Sequence, residues 1–254
     1  MSERLQRQPA PPVPSASTVL VTGGSRGLGL AVVHDLLSRG LRVATFARSL
    51  TPELKTLQAQ HGHSLCVSAL DLGDLDAVAT FMDDAAGQLG PFDGLVGNAA
   101  TGQDSLLVHT APHTIETLIA NNLTKPLLLL RMFARRLLHS QRPGRVVSIT
   151  SVVTRRAYPG LAVYAASKAG MEAATLVLAQ EARGRILANC VAPGFFDSDM
   201  SAVLNPEQRA AIARRIATGR LMQPSHVVPI VRMLLTEAIE MNGQTILVDG
   251  GARA

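Results

Sequence analysis

The stretch "TVLVTGGSRGLGLAVVHDLLSRGLRVATFARS", residues 18–49, decides the fold. It opens with the apolar run Thr18–Thr22, crosses a glycine-rich turn, and passes into a helical pattern over Gly27–Ser38. A second apolar run, Arg42–Ala47, follows almost at once. Near-continuous apolar strands imply a sheet buried on both faces, and a helix between two of them makes a parallel βαβ unit. Glycines in the first turn permit a tight backbone and close approach of a pyrophosphate to the helix N-terminus. Their GxxxGxG spacing, at Gly23, Gly27 and Gly29, is not the GxGxxG of the usual dinucleotide fingerprint. A glycine-rich turn with no ligand therefore stays open at this point.

The same rhythm continues. Further strands are expected at Ser64–Leu70, Gly94–Gly97, Arg145–Thr150, Leu187–Ala192 and Thr245–Val248. Helices are expected at Pro52–Gln60, Leu75–Leu89, Pro112–His139, Pro159–Ala182 and Val227–Thr236. The fold class is α/β: one Rossmann-like domain over residues 18–254, a doubly wound parallel sheet of about seven strands with helices on both faces. Residues 1–17, rich in proline and serine, read as a disordered tail. Met200–Thr218, within a region of about 195–220, reads as a helical lid over the substrate, with a fixed surface helix as the alternative.

Composition narrows the function. Of 254 residues, 47% are apolar and 17% charged, which suits a globular protein. No apolar run reaches the roughly 18–20 residues of a membrane span, so no membrane partner is expected. The N-terminus lacks the apolar core of a signal peptide. Arg4 and Arg7 leave a mitochondrial address as a minor alternative, weakened by Glu3 and the prolines. Cys66 and Cys190 have no metal spacing, so reduced thiols, no metal and a cytoplasmic location are expected. Aromatic residues are 3% of the chain, too few for stacking platforms, and no nucleic-acid partner is expected. The net charge is +5, and only three of the 24 basic residues are lysines. That bias reflects either genome composition or an acidic partner or anionic cofactor.

In such sheets ligands lie beyond the carboxyl ends of the strands. After the first strand, Thr22, Gly23, Ser25, Arg26, Gly27, Leu28 and Gly29 are the candidate cofactor loop. After the second come Arg48 and Ser49, where an NAD site would carry an acidic residue about 20 residues past the glycines. Arg26 and Arg48 converging there would bind a 2′-phosphate with no carboxylate to repel it, so NADPH is expected over NADH. Two solvated surface arginines are the alternative. After the third strand, Asp71 and Leu72 would meet the adenine, or Asp71 would cap the next helix. After the fourth, Asn98, Ala99 and Ala100 let backbone lie close to the cofactor. The fifth strand ends at Ser151; thirteen residues on comes Tyr164, and Lys168 follows one helical turn later.

Taken together, the TGxxxGxG loop, Asp71, the NAA turn, Asn122, Ser151 and YxxxK resemble the short-chain dehydrogenase/reductase family over residues 18–251. "DSLLVHT" (104–110), "NCVAPGFFDSDM" (189–200), "GRL" (219–221) and "GQTILVDGG" (243–251) narrow the resemblance to β-ketoacyl-acyl-carrier-protein reductases. The resemblance implies a catalytic set of Asn122, Ser151, Tyr164 and Lys168, with Asn122 favoured over its neighbour Asn121. Tyr164 is the expected general acid, and the Lys168 ammonium is expected to draw its pKa down from about 10. Lys168 would also bind the nicotinamide ribose, Ser151 would donate to the carbonyl oxygen, and Asn122 would hold a water in a proton relay. Pro193, Gly194 and Phe196 would pack beside the nicotinamide, and Ser198 would contact its carboxamide.

Two stretches depart from the family pattern. The usual NNAG becomes Gly97-Asn98-Ala99-Ala100, which is expected to alter cofactor affinity without loss of activity. Thr154, Arg155 and Arg156 stand where relatives more often carry small residues. Arg155 and Arg156 are expected to line the entrance and meet an acidic carrier or its phosphopantetheine phosphate, with solvated arginines as the alternative. Arg142 and Arg183 match carrier-docking positions of the subfamily, and Leu161 gives an apolar wall for an acyl chain. The expected function is NADPH-dependent reduction of 3-oxoacyl thioesters, borne on acyl carrier protein, to 3-hydroxyacyl thioesters in fatty-acid or specialised acyl or polyketide synthesis. A reductase of free ketones, sugars or quinones is the first alternative, and a non-catalytic NADPH-binding partner subunit the second. A homotetramer is expected.

Overall fold

The computed structural model describes residues 15–102, 104–196, 205–237 and 239–252. Most of the expected tail, Ser198 and the first part of the expected lid lie outside the described residues. Seven strands, β1 (Thr18–Thr22), β2 (Arg42–Ala47), β3 (Leu65–Ala69), β4 (Gly94–Gly97), β5 (Gly144–Ile149), β6 (Ile186–Pro193) and β7 (Thr245–Val248), form one sheet. Their order is β3-β2-β1-β4-β5-β6-β7, and every pairing is parallel. The doubly wound α/β sheet expected from the alternating runs is the observed one.

Alternation along β1 distributes its side chains to two cores. Leu20 packs on one face with Phe46, with Val78 and Met82 of α3 (Leu75–Leu89), and with Leu129 and Phe133 of α5 (Lys125–His139). Val19 and Val21 pack on the other face with Val32, Val33 and Leu36 of α1 (Gly27–Ser38) and Val227 and Val231 of α8 (Pro224–Thr236). Each such side chain, fully buried, contributes about 1.5–3 kcal/mol, so the two faces hold the sheet rigid beneath its loops. The chain runs from β1 outward to β3, then crosses back to β4 on the other flank of β1. This reversal opens a crevice at the carboxyl ends of β1 and β4.

Local details depart from the expected boundaries for identifiable reasons. Ser15, Ala16 and Ser17, expected within the tail, are joined to the body of the fold. Ala16 is buried and its amide donates to the Leu235 carbonyl at 2.8 Å, while the Ser17 amide donates to Asp93 at 2.8 Å. The single helix expected over Pro112–His139 is two, α4 (Pro112–Ile119) and α5, separated by a π-helical turn at Ala120–Thr124. Such turns insert a residue into a helix and re-aim its side chains, and they recur at functional sites. Helix α6 (Ala162–Glu181) begins three residues later than expected, because Gly160 adopts a positive φ of 86° and its carbonyl accepts the Ser105 amide at 3.0 Å. Within the expected lid, the described residues form α7 (Pro206–Arg214), capped by Asn205.

Candidate active site

A cleft of about 930 Å³ opens along the carboxyl edge of the sheet. Its floor is the turn between β1 and α1. Gly23 and Gly27 have positive φ, 69° and 56°, and a Cβ on Gly29 would stand 2.2 Å from the Gly23 carbonyl oxygen. Thr22 lies buried beneath and locks this turn to the end of β4. Its hydroxyl accepts the amides of Asn98 and Ala99, both at 2.9 Å, and the Asn98 side-chain amide donates to the Thr22 carbonyl at 3.0 Å. The first turn of α1 has no acidic residue and its N-cap, Arg26, makes no side-chain cap. Its uncapped amides face the cleft across an open space at Gly27, which fits a pyrophosphate.

The expected adenosine end is assembled by Ser25, Arg26, Leu28, Arg48, Ser49, Asp71 and Leu72, all of which line the cleft. One expectation fails here. A carboxylate does stand within electrostatic reach of Arg48, namely Asp71. The Gly73 amide, at 2.6 Å, and Lys125, at 3.1 Å, hold its carboxyl below the usual range. Lys125 thereby balances the charge that would oppose a phosphate beside Arg48. The capping alternative for Asp71 fails as well, since Asp74 caps α3 by accepting the Ala77 amide at 3.0 Å.

At the other end, Ser151 leaves β5 and its hydroxyl, which accepts the Val153 amide at 3.4 Å, lies near enough to the Tyr164 phenol to favour the phenolate. Tyr164 and Lys168 lie one turn apart on α6, and both line the cleft with Leu161, Pro193, Gly194, Phe196 and the backbone turn at Ala99 and Ala100. The Lys168 ammonium is 5.8 Å from the centre of the tyrosine ring and donates to the Ile149 carbonyl at 2.9 Å. The expectation that Lys168 draws the phenol's pKa down is overturned. Burial pushes Tyr164 up to about 12, the nearby Ser151 hydroxyl only partly offsets it, and Asp104 adds a further upward push. Burial also brings Lys168 down to about 8. The ammonium is spent on a backbone carbonyl rather than on the phenol oxygen.

Asn122 is buried behind the cleft in the π-helical turn, and Asn121 lines the cleft itself. Both ends of the Asn122 side chain are engaged with Thr101, accepting its amide at 2.8 Å and donating to its carbonyl at 2.7 Å. The side chain thus fixes the loop after β4, which forms one wall of the cleft.

Residues 17–209 match the short chain dehydrogenase family. The chain belongs to that family. Among its relatives, the 3-oxoacyl-acyl-carrier-protein reductase of Vibrio harveyi is 34% identical over 236 residues, covering 91% of this chain and 95% of that protein. Nodulation protein G of Rhizobium sp. (strain N33) is 37% identical over 234 residues, with the same coverage. The crystal structure of a Sinorhizobium meliloti 1021 protein assigned as a short-chain alcohol dehydrogenase superposes with a TM-score of 0.85 at 27% identity, covering 94% and 97% of the two chains. This short-chain dehydrogenase is accordingly an oxidoreductase of the nicotinamide-dependent type.

The four arginines expected to meet a carrier are not gathered at the mouth of this dehydrogenase's cleft. Arg155 is paired with Glu172 and Arg156 with Asp249, so neither stands there as an uncommitted cation. Arg142 and Arg183 lie in the segments entering β5 and β6, at the amino edge of the sheet, about 20 Å of strand away from Ser151. Arg142 there donates to the Pro91 carbonyl at 3.4 Å. Sequence reading missed Lys125, Thr101 and Glu172, each of which acts on a partner at least 17 residues away. Only the one-turn spacing of Glu172 from Lys168 on α6 hinted at the last of these.

Proposed function

We propose that this protein is an NADPH-dependent reductase of 3-oxoacyl thioesters, acting on an acyl-carrier-protein-bound substrate in fatty-acid or specialised acyl synthesis. The observation that carries the reading is the meeting of Ser151, Tyr164 and Lys168 in one cleft, with the lysine ammonium 5.8 Å from the tyrosine ring. Carbonyl reduction needs a hydride, a proton donor and a group to hold the oxygen. The bound nicotinamide supplies the hydride. Ser151 donates to the carbonyl oxygen and orients it. Tyr164, its pKa near 12, keeps its proton at neutral pH and releases it only to a strongly basic oxygen. The phenolate that remains is met by the Ser151 hydroxyl and the nearby Lys168 ammonium.

Lys168 would hold the ribose of the bound cofactor, pass a proton to the phenolate and be reprotonated in turn through a water held near Asn122. Because the Asn122 side chain is engaged with Thr101, the water's acceptor is the backbone of the π-helical turn. Arg26 and Arg48 take the 2′-phosphate. The exposed Leu127 and Leu128 of α5 and Val177 of α6 support assembly of copies into a homotetramer. No helix among the described residues is long and apolar enough to cross a membrane, and a cytoplasmic location completes the proposal.

The arginine placements favour a second reading, a reductase of free ketones, since the expected carrier contacts do not converge on the cleft. Leu161 supplies an apolar wall to either substrate. Turnover of one 3-oxoacyl chain, presented free, as a small thioester and on a carrier, separates them in a single NADPH-consumption assay. A kcat/KM at least tenfold higher for the carrier-bound form is expected. Equal values on all three would overturn the carrier assignment.

A further inference from the structure

Glu172 is a buried carboxylate that the chemistry above does not use. It lies on α6 one turn past Lys168 and two past Tyr164, on the same face of the helix. Its side chain is only 5% exposed, and a carboxylate so placed is costly unless it is paired and hydrogen-bonded. Both partners come from the turn that follows Ser151. One oxygen accepts the Thr154 hydroxyl at 2.8 Å and the other pairs with the Arg155 guanidinium. Thr154 is in turn joined to Ser151, whose carbonyl accepts the Thr154 amide at 3.1 Å and lies 3.0 Å from the Thr154 hydroxyl.

The same helix face holds the other side of the serine, because Lys168 donates to the Ile149 carbonyl. The exit of β5 is therefore clamped to α6 at two points, with Ser151 between them and its hydroxyl near Tyr164. We infer that Glu172 is a positioning residue for Ser151: through Thr154 and Arg155 it fixes the turn that sets the serine hydroxyl against the tyrosine and the carbonyl oxygen. Without that clamp the turn over residues 152–154 is left with its short backbone bonds, the Val153 amide on the Ser151 hydroxyl and the burial of Val152 and Val153. None of these ties it to α6 through a polar side chain. A displacement of about 1 Å in a group that orients the reacting carbonyl costs up to about 10²-fold in rate.

The inference rests on the catalytic reading of Ser151 and Tyr164, and its test distinguishes the two. The full-length protein is assayed for NADPH-dependent reduction of acetoacetyl-CoA as wild type, Glu172→Leu, Ser151→Ala and the double variant, with NADPH affinity followed by fluorescence. Glu172→Leu is expected to lower kcat about tenfold, with the NADPH Kd changed less than twofold. In the Ser151→Ala background the same substitution is expected to have no further effect beyond about twofold, since it acts through the missing hydroxyl. Wild-type kcat in Glu172→Leu, or an equal loss with and without Ser151, overturns the inference and leaves the catalytic reading standing. Wild-type turnover in Ser151→Ala overturns the catalytic reading and this inference with it. Thr154→Val removes the linking hydroxyl at nearly constant volume, and it carries the same cycle with the same criteria if Glu172→Leu does not fold.

Discussion

The buried tyrosine and lysine give opposite answers to the question of which group limits the reaction at alkaline pH. Burial holds the Tyr164 phenol up to about 12, so the proton donor stays loaded across the whole working range. Burial holds the Lys168 ammonium down to about 8, so it is the lysine that loses its charge first. For a single group at 8, the ammonium fraction falls from ~91% at pH 7 to ~9% at pH 9, and kcat/KM for reduction should fall about tenfold over that interval. The loss runs with rising pH because the protonated forms are the active ones. The chain has two tyrosines and no tryptophan, so Tyr158→Phe leaves Tyr164 as the sole source of a tyrosinate absorbance change. In that variant no tyrosinate should form below pH 10, while the kinetic limb remains near pH 8. A tyrosinate midpoint that coincides with the kinetic limb would refute the reasoning, because the phenol would then be the titrating group.

Three further outcomes are expected. Tyr164→Phe removes the proton donor while keeping the ring, so turnover should fall 10²- to 10⁴-fold with NADPH binding still measurable by fluorescence titration; near-normal turnover would defeat the assignment. Arg48→Ala deletes one cation from the expected 2′-phosphate site. The NADPH-to-NADH ratio of kcat/KM should fall about 10- to 100-fold, the worth of a charged hydrogen bond of about 1.5–3 kcal/mol, and an unchanged ratio would remove Arg48 from that role. Gly29→Ala puts a Cβ 2.2 Å from the Gly23 carbonyl oxygen and 2.6 Å from the Asn98 amide nitrogen. The turn must shift, so NADPH binding should be lost and stability should drop by about 1–3 kcal/mol in urea titration, whereas wild-type binding would show the cradle to be looser than drawn.

The sequence alone carried the alternation of seven strands with helices, the glycine turn after β1, and the Ser-Tyr-Lys set, because these are written in runs and spacings of neighbouring residues. Helices α1, α2 (Pro52–Gln60) and α3 have the bounds that the apolar pattern predicted. Periodicity did not reveal the π-helical turn at Ala120–Thr124, since an apolar stripe continues through it and only the Asn122–Thr101 contact marks the change. What tertiary structure decided was which charges meet. Arg155 and Arg156 read as entrance cations until folding brought them against Glu172 and Asp249. Asp71 read as an adenine contact or a helix cap, with no sign in the sequence that Lys125, 54 residues away, would pair with it. Tyr164 read as acidified by its neighbour one turn away, but its pKa depends on how much water the surrounding sheet and helices exclude. Spacing along a chain fixes which side chains share a helix face; burial and long-range pairing set their charge, and both exist only once the sheet has closed around them.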